Sequence, residues 1–159
     1  SGAAGSSSQT RGLIMGGMRP ANNVTIDYVT IATTGDATDF GDLTVARAYN
    51  GGVSNSIRGV TAGGNANPVS LNTNSIEYVD IATTGNASDF GDLTNLRYAG
   101  AGASNAVRGV FMNGYVSPTT NNTIDYITIA TLGNAVDFGD NTIVVDHCAG
   151  CSNMNGGVL

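Results

Sequence analysis

Residues 24–44 read VTIDYVTIATTGDATDFGDLT, and the phrase returns as NSIEYVDIATTGNASDFGDLT at 74–94 and NTIDYITIATLGNAVDFGDNT at 122–142. The steps from 24 to 74 and from 74 to 122 are 50 and 48 residues, a period too long for a leucine-rich repeat. Inside the phrase, Val24, Ile26 and Tyr28 alternate onto one face of an extended chain. Thr25 and Asp27 begin the opposite face, which turns apolar at Val29 and Ile31. A strand with apolar residues on both faces belongs to a sheet covered on both sides. β-branched residues dominate and no helical period survives beyond one turn. The sequence therefore predicts an all-β protein assembled from three copies of one unit.

Working outward, each copy contributes two further segments. An apolar run reads RGLIMGG (11–17), RGVTAGG (58–64) and RGVFMNG (108–114). A small-residue run reads RAYNGGVSNS (47–56), RYAGAGASNA (97–106) and DHCAGCSNM (146–154). Together with the two strands of the long phrase, these predict four strands per unit of about 48 residues. The expected division is a single repeat domain over 1–159, with units at about 3–46, 47–96 and 97–145 and an overhanging strand at 146–159. Pro20, Pro68 and Pro118 all fall between the second and third strands, where no ladder N–H is required. That connection also diverges most between copies, as MRPANN, NANPVSLNTN and YVSPTTNN. Variable loops on a repeated frame are where such proteins place recognition. Arg19, Asn65, Asn67, Tyr115 and Thr119 are the candidate ligand- or partner-binding residues.

Six arginines and no lysine face twelve carboxylates, for a net charge of −6. Nucleic-acid binding needs a cationic stripe, so that class is excluded. No apolar run approaches the length of a membrane span, and no basic signal sequence is visible. The opening SGAAGSSS reads as a start from which the initiator Met has been removed. Few charges among many Gly, Asn, Thr and Ser residues match a secreted, surface or virion protein better than a cytosolic enzyme.

The order of these residues resembles the kelch repeat, whose period is also near that of a propeller blade. Gly16-Gly17 and Gly63-Gly64 match its diglycine, and Tyr28, Tyr78 and Tyr126 its tyrosine. Phe40, Phe90 and Phe138 stand in place of its tryptophan, with Leu43 and Leu93 three residues on. The third copy departs at Asn113-Gly114 and at Asn141. The phrasing is similar to repeats in tail-fibre and structural proteins of cyanophages and other marine phages. The resemblance implies four-stranded propeller blades and a non-enzymatic structural protein of a phage virion. As a head decoration or tail or fibre appendage, it would contact other virion proteins and possible host-surface glycans. A carbohydrate-binding, lectin-like module is the alternative function.

In such a blade Phe40, Phe90 and Phe138 plug the gap between adjacent sheets, and Gly41 lets the backbone bend beside the ring. Asp39, Asp89 and Asp137 flank the ring as structural residues of the joint, able to accept hydrogen bonds from turn N–H groups. Asp36, Asp39 and Asp42 also offer oxygen ligands for calcium, but at lower density than a calcium loop. His147, Cys148 and Cys151 have zinc-ligand chemistry, yet they lie in an expected strand that sends the two cysteines to opposite faces. Small buried cysteines are the simpler reading. No metal, cofactor or catalytic residue is expected, because no nucleophile–base set or non-repeated acid stands at a convincing spacing. Arg11, Arg58 and Arg108 are expected to pair with recurring aspartates.

Three blades cannot close a propeller, for which four to eight are typical. A homo-oligomer is expected to complete it, as a closed dimer or an open assembly. The alternative is a three-fold monomer of the β-prism or β-trefoil kind. Ala3–Ser7 reads as a first strand, Cys148–Ser152 as a fourth copy of it, and Gly157-Val158-Leu159 as the start of a second strand. Such edges invite pairing with another chain.

Overall fold

The computed structural model describes residues 1–66, 71–116 and 118–151, and all its regular elements are strands. The first unit consists of β1 (Ala4–Ser7), β2 (Arg11–Met15), β3 (Asn23–Thr30) and β4 (Thr38–Ala48). The second begins with β5 (Gly51–Ser54) and β6 (Arg58–Ala62). A small hairpin of β7 (Asn65–Ala66) and β8 (Leu71–Asn72) leads to β9 (Ser75–Asp80) and β10 (Ser88–Asp92). The third repeats the plan with β11 (Ala101–Ser104), β12 (Arg108–Met112), the hairpin β13 (Tyr115–Val116) and β14 (Thr119–Thr120), then β15 (Thr123–Thr128) and β16 (Val136–Asp140). Each unit is an antiparallel meander, ordered β1-β2-β3-β4, β5-β6-β9-β10 and β11-β12-β15-β16. The hairpin of the second unit adds to the first sheet, through Arg47↔Ala66 and Ala48↔Asn65.

Register repeats with the sequence. Leu13 faces Tyr28, Val60 faces Tyr78 and Val110 faces Tyr126. The aromatic phrase then interrupts the ladder identically in each sheet. Asp39 pairs with Asp27 and Gly41 with Ile26, so Phe40 is an extra residue. Phe90 and Phe138 are skipped the same way. A bulge of this kind re-aims one side chain out of the strand's alternation. The following glycine adopts φ 147, 145 and 136 in the three copies, a region in which a side chain is strained.

The two apolar clusters lie between sheets, not within one. Ala4, Leu13, Met15, Ile26, Phe40 and Leu43 of the first unit meet Val79, Ile81 and Ala87 of the second. Val53, Val60, Ala62, Ile76, Phe90 and Leu93 of the second meet Phe111, Ile127, Ile129 and Ala135 of the third. The two apolar faces of β9 thus serve two different neighbours, as the alternation implied.

The first strands line up at one edge, β1 against β5 and β5 against β11. Glycine permits their approach. A Cβ on Gly52 would strike the Gly5 carbonyl, one on Gly102 the Gly52 carbonyl, and one on Gly150 the Gly102 carbonyl. Gly150 keeps this register, but the expected fourth strand is not formed among the described residues from Cys148 to Cys151. In the other copies the first strand is held by ladder bonds to the second. Its counterpart here, Gly157-Val158-Leu159, lies outside the described residues, as do Pro68, Asn67 and Ser152.

The glycine ladder generates a paired test. Gly52→Ala should cost about 1–3 kcal/mol by overpacking. Gly5→Ala, whose added Cβ meets nothing within 4 Å, should stay within about 0.5 kcal/mol of wild type. Urea unfolding of the two variants measures both, and equal midpoints would contradict the close-approach account.

Candidate functional site

The repeated phrase of one unit grips the turn between the last two strands of the next. Gly85 N donates to Phe40 O at 2.8 Å and Ala87 N to Asp42 O at 2.8 Å. Asp42 N donates to Asn86 Oδ1 at 3.0 Å. The second joint repeats these bonds, Gly133 N to Phe90 O at 2.9 Å, Ala135 N to Asp92 O at 2.8 Å and Asp92 N to Asn134 Oδ1 at 3.1 Å. A Cβ on Gly41 or Gly91 would collide with the facing Gly85 or Gly133 carbonyl. Each phenylalanine meets its own unit's tyrosine edge to face, at 5.9 Å for Tyr28–Phe40 and for Tyr78–Phe90.

A buried ion pair crosses each joint. Arg47, at the end of β4, pairs with Glu77 on β9, and both side chains are buried. Thr44 donates to the same carboxylate from its amide at 2.8 Å and its hydroxyl at 2.7 Å. Arg97 likewise meets Asp125 Oδ2 at 2.7 Å, where Thr94 donates its amide at 3.2 Å and its hydroxyl at 2.6 Å. Burial lowers both guanidinium pKa values from their ordinary range, and the facing carboxylates oppose that shift. Arg47 Nη1 also donates to the carbonyls of Gly63 at 3.2 Å and Ser75 at 3.0 Å, while its buried Nε has no partner among the described residues, so most but not all of the buried guanidinium is satisfied.

The arginines that open the second strands depart from expectation. Arg11 lies over Tyr28 at 4.7 Å and donates to Ile81 O of the next unit at 2.8 Å. Arg58 lies over Tyr78 at 4.7 Å and donates to Ile129 O at 3.0 Å. Arg108 lies over Tyr126 at 4.9 Å. Arg58 also approaches exposed Asp80 at 3.8 Å. Stacking on an aromatic face and capping a neighbour's carbonyl replace most of the anticipated pairing with aspartate.

Asp39, Asp89 and Asp137 are exposed. The cross-joint bonds run through the backbone of Asp42 and Asp92, while Asp137 Oδ1 accepts from Gly139 N within its own phrase at 3.3 Å. The loop candidates spread along one rim. Arg19 and Thr119 are exposed, and Asn65 O accepts from Asn22 Nδ2 at 2.7 Å. Tyr115 is half-buried, and its carbonyl accepts from Asn72 Nδ2 at 3.3 Å. Its ring lies 5.3 Å from Tyr98, which is 6.0 Å from Tyr49 and 6.4 Å from His147. Tyr49 and Tyr98 were not singled out by sequence because they occupy adjacent, non-equivalent positions of the repeat.

The ends of the row are open. Phe138 is 54% exposed, against 2% and 3% for Phe40 and Phe90. At the opposite end Ile31 is 56% exposed, against 1% and 0% for Ile81 and Ile129. Ala37 is exposed where Ala87 and Ala135 are buried. The third unit also differs internally, since Asn141 Nδ2 donates to Asn113 Oδ1 at 2.8 Å. The two departures from the repeat pattern therefore compensate one another. No protein-family model matches the chain, and comparison with curated protein sequences finds no match.

Two substitutions test the joint. Phe90→Ala should cost about 3–5 kcal/mol, while Phe138→Ala should change stability by no more than about 0.5 kcal/mol. Arg97→Met strands Asp125 in the core and should cost about 3–5 kcal/mol. Denaturant melts read all three. A Phe138 variant as damaged as the Phe90 variant would contradict the assignment.

Proposed function

We propose that the protein is a non-enzymatic structural protein of a phage particle, either a head decoration or a tail or fibre appendage. On this reading its sheets are kelch-like blades of a propeller-type arc, completed by association with further copies or with other virion proteins. The observation that carries it is the exposure of Phe138 on a face whose two internal equivalents are buried joints. Opposed open faces are the property of a repeat array that continues beyond itself. A β-prism or β-trefoil with internal three-fold symmetry would cover such faces and leaves their exposure unexplained. The phage assignment rests on the similarity of the repeated phrase to virion repeats, supported by the charge-poor composition.

A lectin-like reading draws on one separate observation. Tyr49, Tyr98, Tyr115 and His147 gather on the rim beside the divergent loops, and such rings offer an apolar face with polar edges to a sugar. The two readings part in one experiment. Mass spectrometry of purified particles should find the chain at a fixed stoichiometry with other structural proteins. Its absence from particles, together with saturable glycan binding by the free protein that Tyr115→Ala abolishes, would replace the first reading with the second.

A further inference from the structure

Each internal joint has a delivering half and a receiving half. The preceding unit delivers an aromatic ring, two backbone carbonyls, a threonine and, three residues on, an arginine: Phe40, Thr44 and Arg47, then Phe90, Thr94 and Arg97. The following unit receives them with an isoleucine, a Gly-x-Ala turn and a carboxylate: Ile81, Gly85 to Ala87 and Glu77, then Ile129, Gly133 to Ala135 and Asp125. The open face of the first unit carries the complete receiving half. Ile31 and Ala37 are exposed, Gly35 stands at the position of Gly85 and Gly133, and Asp27 stands at the position of Glu77 and Asp125. Asp36 replaces Asn86 and Asn134, and its carboxylate can accept the same backbone N–H.

The open face of the third unit carries the delivering half with two exceptions. Phe138, Gly139 and Thr142 are present, but Asn141 stands where Leu43 and Leu93 do and Val145 where Arg47 and Arg97 do. The correspondence is fixed by geometry. Tyr49, Ala99 and His147, two residues beyond each of these positions, share a left-handed backbone at φ 59, 58 and 52, and consecutive members are joined by Ala99 N to Tyr49 O and His147 N to Ala99 O. Docking a second copy onto the first face would bury Asp27 against Val145, with Thr142 as its remaining partner from the joint. A carboxylate taken from water without its cation is heavily penalised.

We infer that the face formed by Asp27, Ile31 and the Gly35–Ala37 turn is a docking site for a repeat unit other than the third unit of this sequence. That unit's edge strand carries an aromatic-Gly-Asp-x-Thr phrase with an arginine three residues after the threonine. The arginine enters beside Asp27 as Arg47 enters beside Glu77. This rests on reading the sheets as units of a larger array, and it does not depend on the phage assignment.

Converting Val145 to arginine turns the protein into its own partner. Sedimentation velocity over a concentration series should show weak self-association for wild type, and for Val145→Arg a dissociation constant about 30-fold tighter or more. Asp27→Asn added to Val145→Arg should return association to the wild-type level. Val145→Lys, with a cation but no planar fork, should give a smaller gain. Val145 is half-buried and Asp27 lies outside the two apolar clusters, so a melt of each variant should match wild type and the comparison stands on folded protein. Unchanged association in both cationic variants, or a gain that survives Asp27→Asn, would overturn the proposal. Wild type associating through Phe138 as tightly as Val145→Arg would overturn the exclusion of the third unit as its occupant. Absence of the protein from phage particles would sink the virion reading and leave this result standing.

Discussion

A unit of this fold has no core of its own. Its aromatic plug is squeezed out of the strand by a one-residue bulge and is covered only when the next unit's third strand and turn close over it. The arginine that follows the plug is buried only because the next unit supplies a carboxylate. Stability is therefore a property of joints, as in other repeat arrays where nearest-neighbour interfaces carry much of the folding free energy. The glycine ladder at the first strands sets how closely those joints approach, since carbonyls stand where side chains would be.

Much of this was legible in the sequence because the period made each feature appear more than once. Three copies of VTIDY-type alternation gave the strands, and two-sided apolarity gave the stacking of sheets. Phe40, Phe90 and Phe138 were visible as a series, and the first two rings are buried between sheets while the third is exposed. The bulge was not visible, because pairing register is a property of two strands and the phrase belongs to one. The Arg47–Glu77 and Arg97–Asp125 pairs were hidden for a related reason, as their members lie about thirty residues apart and the carboxylate changes identity between copies. Arg11, Arg58 and Arg108 were visible as a series, but charge alone pointed to aspartate. The tyrosine two positions along the facing strand register explains where they went.

The third copy is informative because it breaks the pattern in correlated ways. Asn113 takes the left-handed backbone at the first glycine of the diglycine, at φ 60, and its side chain accepts from the asparagine that replaces the buried leucine. A polar pair thus substitutes for a glycine–leucine contact without leaving either amide alone. The same unit loses the arginine, and its plug stands in the open. The first unit shows the mirror situation, a carboxylate and an apolar strand face without the arginine and ring that meet their equivalents. The two ends are alike in being open and unlike in their charge chemistry.

Amide hydrogen exchange measures the central claim most directly, because the joint is made largely of backbone hydrogen bonds. Gly85, Ala87, Gly133 and Ala135 donate across joints, while Gly35 and Ala37 occupy the same turn on the open face of the first unit. If neighbours make the joints, the first four amides exchange as slowly as those of the central strands, and Gly35 and Ala37 exchange at the rate of an exposed turn. Equal exchange at Gly35 and Gly85 would mean that each turn is stabilised within its own unit, and the account of a core built between units would fail.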